Sequence, residues 1–391
     1  MSINRISIVG SGHTKFGNLK DHNLERLIVS AAQEALHDAN ISGAEIDAAF
    51  LGHFNAGMVP DSFASSLIHL ADEGLRFKPA MRCENACASG AAAISAGINS
   101  ILAGRANTVL VVGVEKMTSN STSDVTKSLT QAGYQNNPEE SSLSFPQLFA
   151  LATEQYKERY QDPLFAMAQI ASKNHSNAMS NPLAQLHREM SVEFCHEVSD
   201  KNPEIAPPLR LTDCSLISDG AAAIVLTKAD LAKNFKHEVR FKAFEHVSDF
   251  LPLKIRDFIS FESAERSMQA ALKNAQVSLD DLNFAEVHDC FTIAELLIYE
   301  ALGLTPRGQG YRALEEGLVY KTGKLPVNTS GGLKAKGHPV GATGVSMHAL
   351  AYRQLTGQAG EMQLDNVNLG LVFNMGGTSV ANYTSILEAV R

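Results

Sequence analysis

No run in this sequence approaches the about 20 consecutive apolar residues that a membrane-spanning helix needs. The opening "MSINRISIVG" lacks the apolar core of a signal peptide and reads instead as a first buried strand. The closing "SILEAVR" is not a peroxisomal address. Cysteine is scarce. Five in 391 residues is an odd count. It is too sparse for a disulfide framework, and a reducing cytoplasm is the expected home. Cys83 and Cys87 are not in CxxC spacing, and no Cys/His pair has zinc-site spacing, so no metal site is expected. Positive charge is also short: 33 Lys and Arg stand against 42 Asp and Glu, a net charge of −9. That balance argues against a general nucleic-acid binder, which shows a basic domain or stripe. A local basic pocket for an anionic ligand stays open.

Hydrophobic residues make up 45% and charged residues 19%, an ordinary globular balance in a chain long enough for two or three domains of core. Short apolar runs predict strands at Ile6–Val9, Ala48–Gly52, Thr108–Val114, Ala222–Leu226, Arg240–Phe244, Phe284–Val287, Leu369–Phe373 and Ala381–Leu387. Helical spacing of apolar residues marks Leu24–Asp38, Ser89–Ala103, Ser263–Ala275, Ile293–Leu302 and Gly344–Leu355. Strands alternating with helices predict an α/β fold with largely parallel pairing. The middle differs. From Thr118 to about Leu211 the text is polar, with helix-like pieces at Phe149–Tyr160 and Pro163–Ala178 and few strand runs. The division expected is a first half of residues 1–117 and 212–237, an inserted loop domain of 118–211 over the active face, and a second half of 238–391. "DGAAAIVLTKADLA" and "GGTSVANYTSILEAV" close the two halves similarly, which suggests a duplication.

Four stretches could carry chemistry. In "MRCENACASGAAAISAGINSILAGRANTVLVVGVEKM", Cys87 stands where an extended segment gives way to a run of small residues that reads as a helix. Free N–H groups and the helix dipole at such a junction favour a thiolate. Taken alone, Cys87 fits an ordinary buried cysteine as well. In "EVHDCFT" a strand ends in His288, Asp289 and Cys290. The carboxyl end of a strand is where open α/β sheets place ligands. His288 and Cys290 point the same way in extended backbone, whereas Asp289 reads better as a helix N-cap. "NTSGGLKAKGHPVGATG" gathers five glycines around His338 without the Gly-Lys-Ser/Thr of a phosphate loop. In "FNMGGTS" a buried strand enters paired glycines. Such a turn either aims N–H groups at an oxyanion or is a plain hairpin turn.

Together, in this order, the four stretches resemble the thiolase superfamily along essentially the whole chain. "NACASGAAAI" matches the nucleophile segment, with "VGVEKM" standing for a usual "GGxEKM", and "GHPVGATG" matches the histidine loop. "HDCF" is the signature of the sterol-carrier-protein-2-type branch. Most thiolases place a second catalytic cysteine in a Cys-x-Gly at the last loop, where this chain has Asn374, Met375 and Gly376. In the sterol-carrier-type branch the second thiol comes from the HDCF motif, so Cys290 fills the gap.

The resemblance implies a thiolase fold of two similar five-layered αβαβα halves. It implies Cys87 as the acyl-accepting nucleophile, His338 as the base that activates it, Cys290 as acid/base at the substrate α-carbon and His288 as donor to the enolate oxygen. The N–H groups of Cys87 and Gly376 would hold the oxyanion of the thioester adduct. Cys83 has no implied role. The reaction implied is cleavage of a 3-oxoacyl-CoA by CoA, or the reverse Claisen condensation. No cofactor is bound tightly; coenzyme A and acyl-CoA serve as substrates. A homodimer or dimer of dimers is implied. The alternatives are a specialised condensing enzyme, or an acetoacetyl-CoA synthase with a small acyl-CoA-binding partner protein, and a non-catalytic scaffold. The scaffold reading is weakened because Cys87, His338 and Cys290 are all present. No lipid-carrier domain is expected after Arg391.

Overall fold

The computed structural model describes residues 3–390; Met1, Ser2 and Arg391, which belong to the two terminal ranges above, lie outside the described residues. Among the described residues nine strands form the main sheet: β1 (Ile6–His13), β2 (Ala48–Gly52), β3 (Ala80–Cys83), β4 (Thr108–Glu115), β5 (Gly220–Lys228), β6 (Val239–Ser248), β7 (Phe284–Val287), β8 (Leu369–Gly376) and β9 (Ala381–Ala389). Their spatial order is β3-β2-β4-β5-β1-β6-β9-β8-β7. The longer helices that frame the sheet and site are α1 (Leu24–Asp38), α2 (Ser89–Leu102), α3 (Phe145–Arg159), α4 (Leu164–Ala178), α5 (Glu262–Ala275), α6 (Thr292–Ala301) and α7 (Val340–Leu355).

The expectation of largely parallel pairing is corrected here. Only β2–β3, β2–β4 and β7–β8 run parallel, while β4–β5, β5–β1, β1–β6, β6–β9 and β9–β8 are antiparallel. The reason is connectivity. A tight turn joins β8 directly to β9, and strands so joined must be antiparallel. The two halves meet through a short seam, Ser7 opposite Arg240 and Ile8 opposite Val239.

The layered α/β architecture is present, with one adjustment. The five layers are built by both halves together rather than within each half. Helix α1 covers one face of β1, β4 and β5, α5 covers β6 and β9, and α7 lies between the two groups of strands, touching β4, β5 and β8. Helix α2 shares that middle layer, packing on β2 and β4 and meeting Ala381 and Tyr383 of β9. A helix in the middle of five layers has no solvent face. Every residue of α7 except Arg353 is buried, and the apolar, small composition all round fits that place. The axes cross at glycines. A Cβ on Gly90 would lie 2.8 Å from the Val345 nitrogen, and one on Gly344 would lie 2.4 Å from the Ala91 nitrogen. The small residues behind Cys87 therefore let two backbones touch.

Residues 118–211 are mainly helical, with a two-stranded ribbon at Glu204–Ala206 and Leu209–Arg210. Helices α3 and α4 pack on α6 of the second half. Buried Lys173 and Asn174 reach across to Glu295, at 2.9 and 2.7 Å.

Candidate active site

Cys87 sits on a pinned turn between β3 and α2. Ala86 holds φ at 51°, a left-handed conformation that costs a non-glycine residue energy and persists only where neighbours enforce it. Here the Glu84 carboxylate accepts from the Ala86 N–H at 2.6 Å. The Ser89 hydroxyl accepts from Asn85 N at 2.9 Å and donates to Ala86 O at 2.6 Å. Gly376 passes so close that a Cβ there would lie 2.4 Å from the Asn85 oxygen. Two N–H groups reach the Cys87 sulfur, its own and that of Gly377, one residue beyond Gly376.

The expectation that a helix terminus favours the thiolate is not met at rest. Burial pushes the Cys87 thiol up to about 12, and the Glu115 carboxylate pushes the same way, against the pull of the Gly377 N–H. Helix α2 begins only at Ser89, so the dipole acts from two residues away and burial wins. Glu115 is itself a fixed feature. It accepts from Phe54 N, Asn55 N and Gly341 N, each at 3.0 Å, and pairs with His53 at 3.0 Å. It thereby ties the end of β4 to the start of α7.

His338 lies just before α7, whose N-cap is Pro339. Its loop is held from below. The buried Asp289 carboxylate accepts from Leu333 N at 2.6 Å and Lys334 N at 3.2 Å, and Glu286 accepts from the Ser330 hydroxyl at 2.6 Å. Asp289 is not the helix N-cap expected: the N-cap of α6 is Phe291, and the Asp289 carboxylate instead serves first-turn N–H groups of the short helix Gly332–Lys336, whose N-cap residue is Gly331. The His338 ring sets Nδ1 2.7 Å from Thr343 Oγ1. Burial, and then the nearby Lys336 ammonium, bring its pKa down to about 3, so the ring is neutral at pH 7.

His288 follows β7. Its Nδ1 lies 2.9 Å from Asn374 Nδ2. Burial, then His338 and Lys336, hold its pKa well below the ordinary imidazole range. The thiol of Cys290 is pushed well above the ordinary thiol range by burial and then by the neighbouring Cys87.

The structure thus brings three sequence-predicted residues to one point. The Cys87 sulfur and one nitrogen each of His288 and His338 all lie within 4.8 Å of one another, with Cys290 alongside. A thiol and two imidazoles so placed could also hold a zinc or copper ion. Cys83 is not part of this group; it ends edge strand β3, half-buried against the core. A cleft of about 480 Å³, lined by Asn85, Ala86, Gly376 and Gly377 among others, borders the Cys87 turn. A larger one near His37 and Phe235 lies apart from these groups. Sequence reasoning missed Gly377, Thr343 and the supporting part of Asp289. Asn374 was noticed only as a missing cysteine. The polar Asn374 in a buried strand, and a Thr five residues after His338, are the signals that were available.

Comparison with known proteins follows the same order along the chain. Residues 6–230 match the family described as "Thiolase, N-terminal domain". Residues 247–389 match "Thiolase C-terminal domain-like". The chain belongs to the thiolase family. Among its thiolase-family relatives, an acetyl-CoA acetyltransferase of Methanothermobacter thermautotrophicus is 38% identical over 377 residues, 95% of this chain and 96% of that one. One from Methanocaldococcus jannaschii is 35% identical, covering 99% of each chain. Sterol carrier protein 2 of Homo sapiens is 31% identical, over 96% of this chain and 70% of the relative. In fold, this thiolase-family chain is similar to "Ltp2-ChsH2(DUF35) aldolase", with a TM-score of 0.84 at 21% identity over 100% of this chain and 99% of that one. It is also similar to human mitochondrial 3-ketoacyl-CoA thiolase in complex with CoA, with a TM-score of 0.75 at 19% identity over 100% of both.

Proposed function

We propose that this chain is a CoA-dependent acyltransferase that cleaves a 3-oxoacyl-CoA to acetyl-CoA and a shortened acyl-CoA, or runs the reverse condensation, through an acyl group on Cys87. The observation that carries this is the convergence of the Cys87 sulfur with nitrogens of His288 and His338 within 4.8 Å.

The pKa directions dictate how the first step runs. A thiol pushed up to about 12 and an imidazole brought down to about 3 do not exchange a proton at rest. His338 therefore takes the Cys87 proton as the sulfur–carbon bond forms. The negative charge passes to the carbonyl oxygen and is held by the N–H groups of Cys87 and Gly376. In cleavage the carbon–carbon bond breaks to an acetyl-CoA enolate, whose oxygen His288 supports. Cys290 rests as a thiol, the form that gives a proton to the enolate carbon. The thiolate left behind takes the proton of incoming CoA, whose sulfur then attacks the acyl group; the carbon–sulfur bond to Cys87 breaks, and the departing sulfur takes back the proton held by His338. No metal or tightly bound cofactor enters these steps.

Segment 118–211 is proposed as the inserted domain that shapes the acyl and CoA pocket, supported by its contacts across to Asp289 and Glu295. A homodimer is supported by β3, an edge strand with Met81 51% and nearby Phe77 87% exposed. Five free cysteines suit a reducing cytoplasm. No helix among the described residues is long and apolar enough to cross a membrane.

A second reading has one observation in its favour. The likeness to "Ltp2-ChsH2(DUF35) aldolase", whose name joins two components, suits a condensing enzyme that works with a small partner protein. The test for both is purified protein with a panel of 3-oxoacyl-CoAs plus CoA, following loss of substrate and mass on Cys87. Neither an acyl adduct on Cys87 nor turnover, with and without candidate partners, would end the proposal.

A further inference from the structure

We propose that Asn374 is a positioning residue that fixes His288 in the tautomer with the proton on Nε2, so that His288 can only donate to the enolate oxygen. This rests on the reading of His288 above and names what holds it to that task. The argument is one of hydrogen-bond bookkeeping. Asn374 Nδ2 lies 2.9 Å from His288 Nδ1 and 3.3 Å from the Cys87 carbonyl oxygen. A carbonyl oxygen only accepts, so the Asn374 atom facing it is the NH₂ group. The opposite orientation would set two oxygens 3.3 Å apart and leave a buried NH₂ without a partner. With NH₂ donating to Nδ1, that nitrogen carries the lone pair, and the single proton of the neutral ring sits on Nε2.

The orientation carries one cost. The Asn374 Oδ1 is buried with no hydrogen-bond partner among the described residues. Leaving a buried acceptor unsatisfied is unfavourable, and the orientation persists because the NH₂ side serves two acceptors at once. The ring has little freedom to escape. His288 is 1% exposed, Asn374 is 1% exposed, and the His338 ring stands edge-on to it with centroids 5.1 Å apart. Burial keeps His288 neutral, so the choice of tautomer decides whether Nε2 is a donor or an acceptor. As an acceptor it would repel an enolate oxygen and compete with His338 for the Cys87 proton. The residue standing where the family usually has a second catalytic cysteine thus acts on a neighbouring histidine.

The test has two parts. First, histidine-selective ¹⁵N labelling of the wild-type protein reads the ring tautomers, with His288 assigned by loss of its signals in His288→Gln. The expected result is a protonated Nε2 and an unprotonated Nδ1. Second, Asn374→Asp replaces a donor with an acceptor. At pH 8.5 it should move the His288 proton to Nδ1. Condensation should then fall by about 10²-fold, the usual size for one lost oxyanion donor, and much more than formation of acyl-Cys87. A wild-type ring protonated on Nδ1 overturns the proposal. So does an Nε2 proton retained in Asn374→Asp, or a reversed tautomer with condensation within about threefold of wild type. Failure of the parent reading looks different: no acyl-Cys87 forms in the wild type at all.

Discussion

His288 and His338 meet edge to face, with ring planes at 88° and centroids 5.1 Å apart. They come from different elements, His288 from the end of β7 and His338 from the loop before α7, and each has its own partner on Nδ1. That arrangement suits two imidazoles with separate duties, and it makes their removal distinguishable.

Replacing His338 by Ala should chiefly slow formation of acyl-Cys87, because no group is left to take the proton of a thiol pushed up to about 12. His288→Ala should leave acylation much less affected and slow the carbon–carbon step, at a cost of about 3–4 kcal/mol for a lost oxyanion donor. Rapid-quench measurement of the acyl-enzyme separates the two. Equal loss of acylation in both variants would refute the division.

Cys290→Ala should still take an acetyl group from acetyl-CoA onto Cys87 and then stall in both condensation and thiolysis. A general acid/base is worth roughly 10²–10⁴ in rate. Adding Asn374→Cys to this variant returns a thiol to the usual family position. It also removes the amide that donates to His288 Nδ1, so any recovery should be small. Near-wild-type thiolysis by Cys290→Ala would show that the α-carbon proton travels by another group.

Acid should destabilise the fold well above the carboxylate range. Burial brings His338 and His175 down to about 3 and His348 to about 4. The unfolded chain binds protons at these sites below about pH 6.5 and the folded chain does not, so stability rises with pH across that window and is lost as pH falls through it. Asp289, raised to about 7 mainly by burial, works in the opposite direction between about pH 4 and 7. His53, held up by Glu115 against the opposing effect of burial, acts only above about pH 6.5, where its stabilisation is lost as pH rises. With His13 and His288 held low as well, the histidines should prevail over Asp289, and stability should fall from pH 6.5 to 5. Urea midpoints at a series of pH values measure it; a flat profile would contradict the neutral, buried state of these rings.

Asp289→Ala should damage both stability and chemistry. It strips the acceptor from Leu333 N, Lys334 N and the Asn174 amide, leaving buried donors unpaired at a cost of about 1–3 kcal/mol. The short helix whose first-turn N–H groups it holds carries straight on to His338, so acylation should slow as well. A loss of stability with unchanged acylation would show that the loop keeps its place without this acceptor.

Several elements were legible from residue pattern alone. Leu24–Asp38 and Phe284–Val287 appear with the bounds expected, because apolar spacing records which side of an element is buried. Helix α7 begins at Val340 rather than Gly344. Nearly the whole helix is buried all round, and uniform burial leaves no periodicity that marks where it starts. The same limit hid the sheet's direction. A strand's composition reports its burial, whereas parallel or antiparallel pairing depends on which strands become neighbours after the chain has crossed over.

The motif residues Cys87, His288, Cys290 and His338 were visible in the sequence because their local contexts are distinctive, and the resemblance supplied what they do together. Their states were not visible. Whether Cys87 rests as thiol or thiolate follows from how deeply its sulfur lies and from Glu115 beside it. Which nitrogen of His288 holds the proton follows from Asn374, 86 residues away along the chain. Protonation and hydrogen-bond direction are set by whatever surrounds a group in space, and only the folded chain brings those surroundings together.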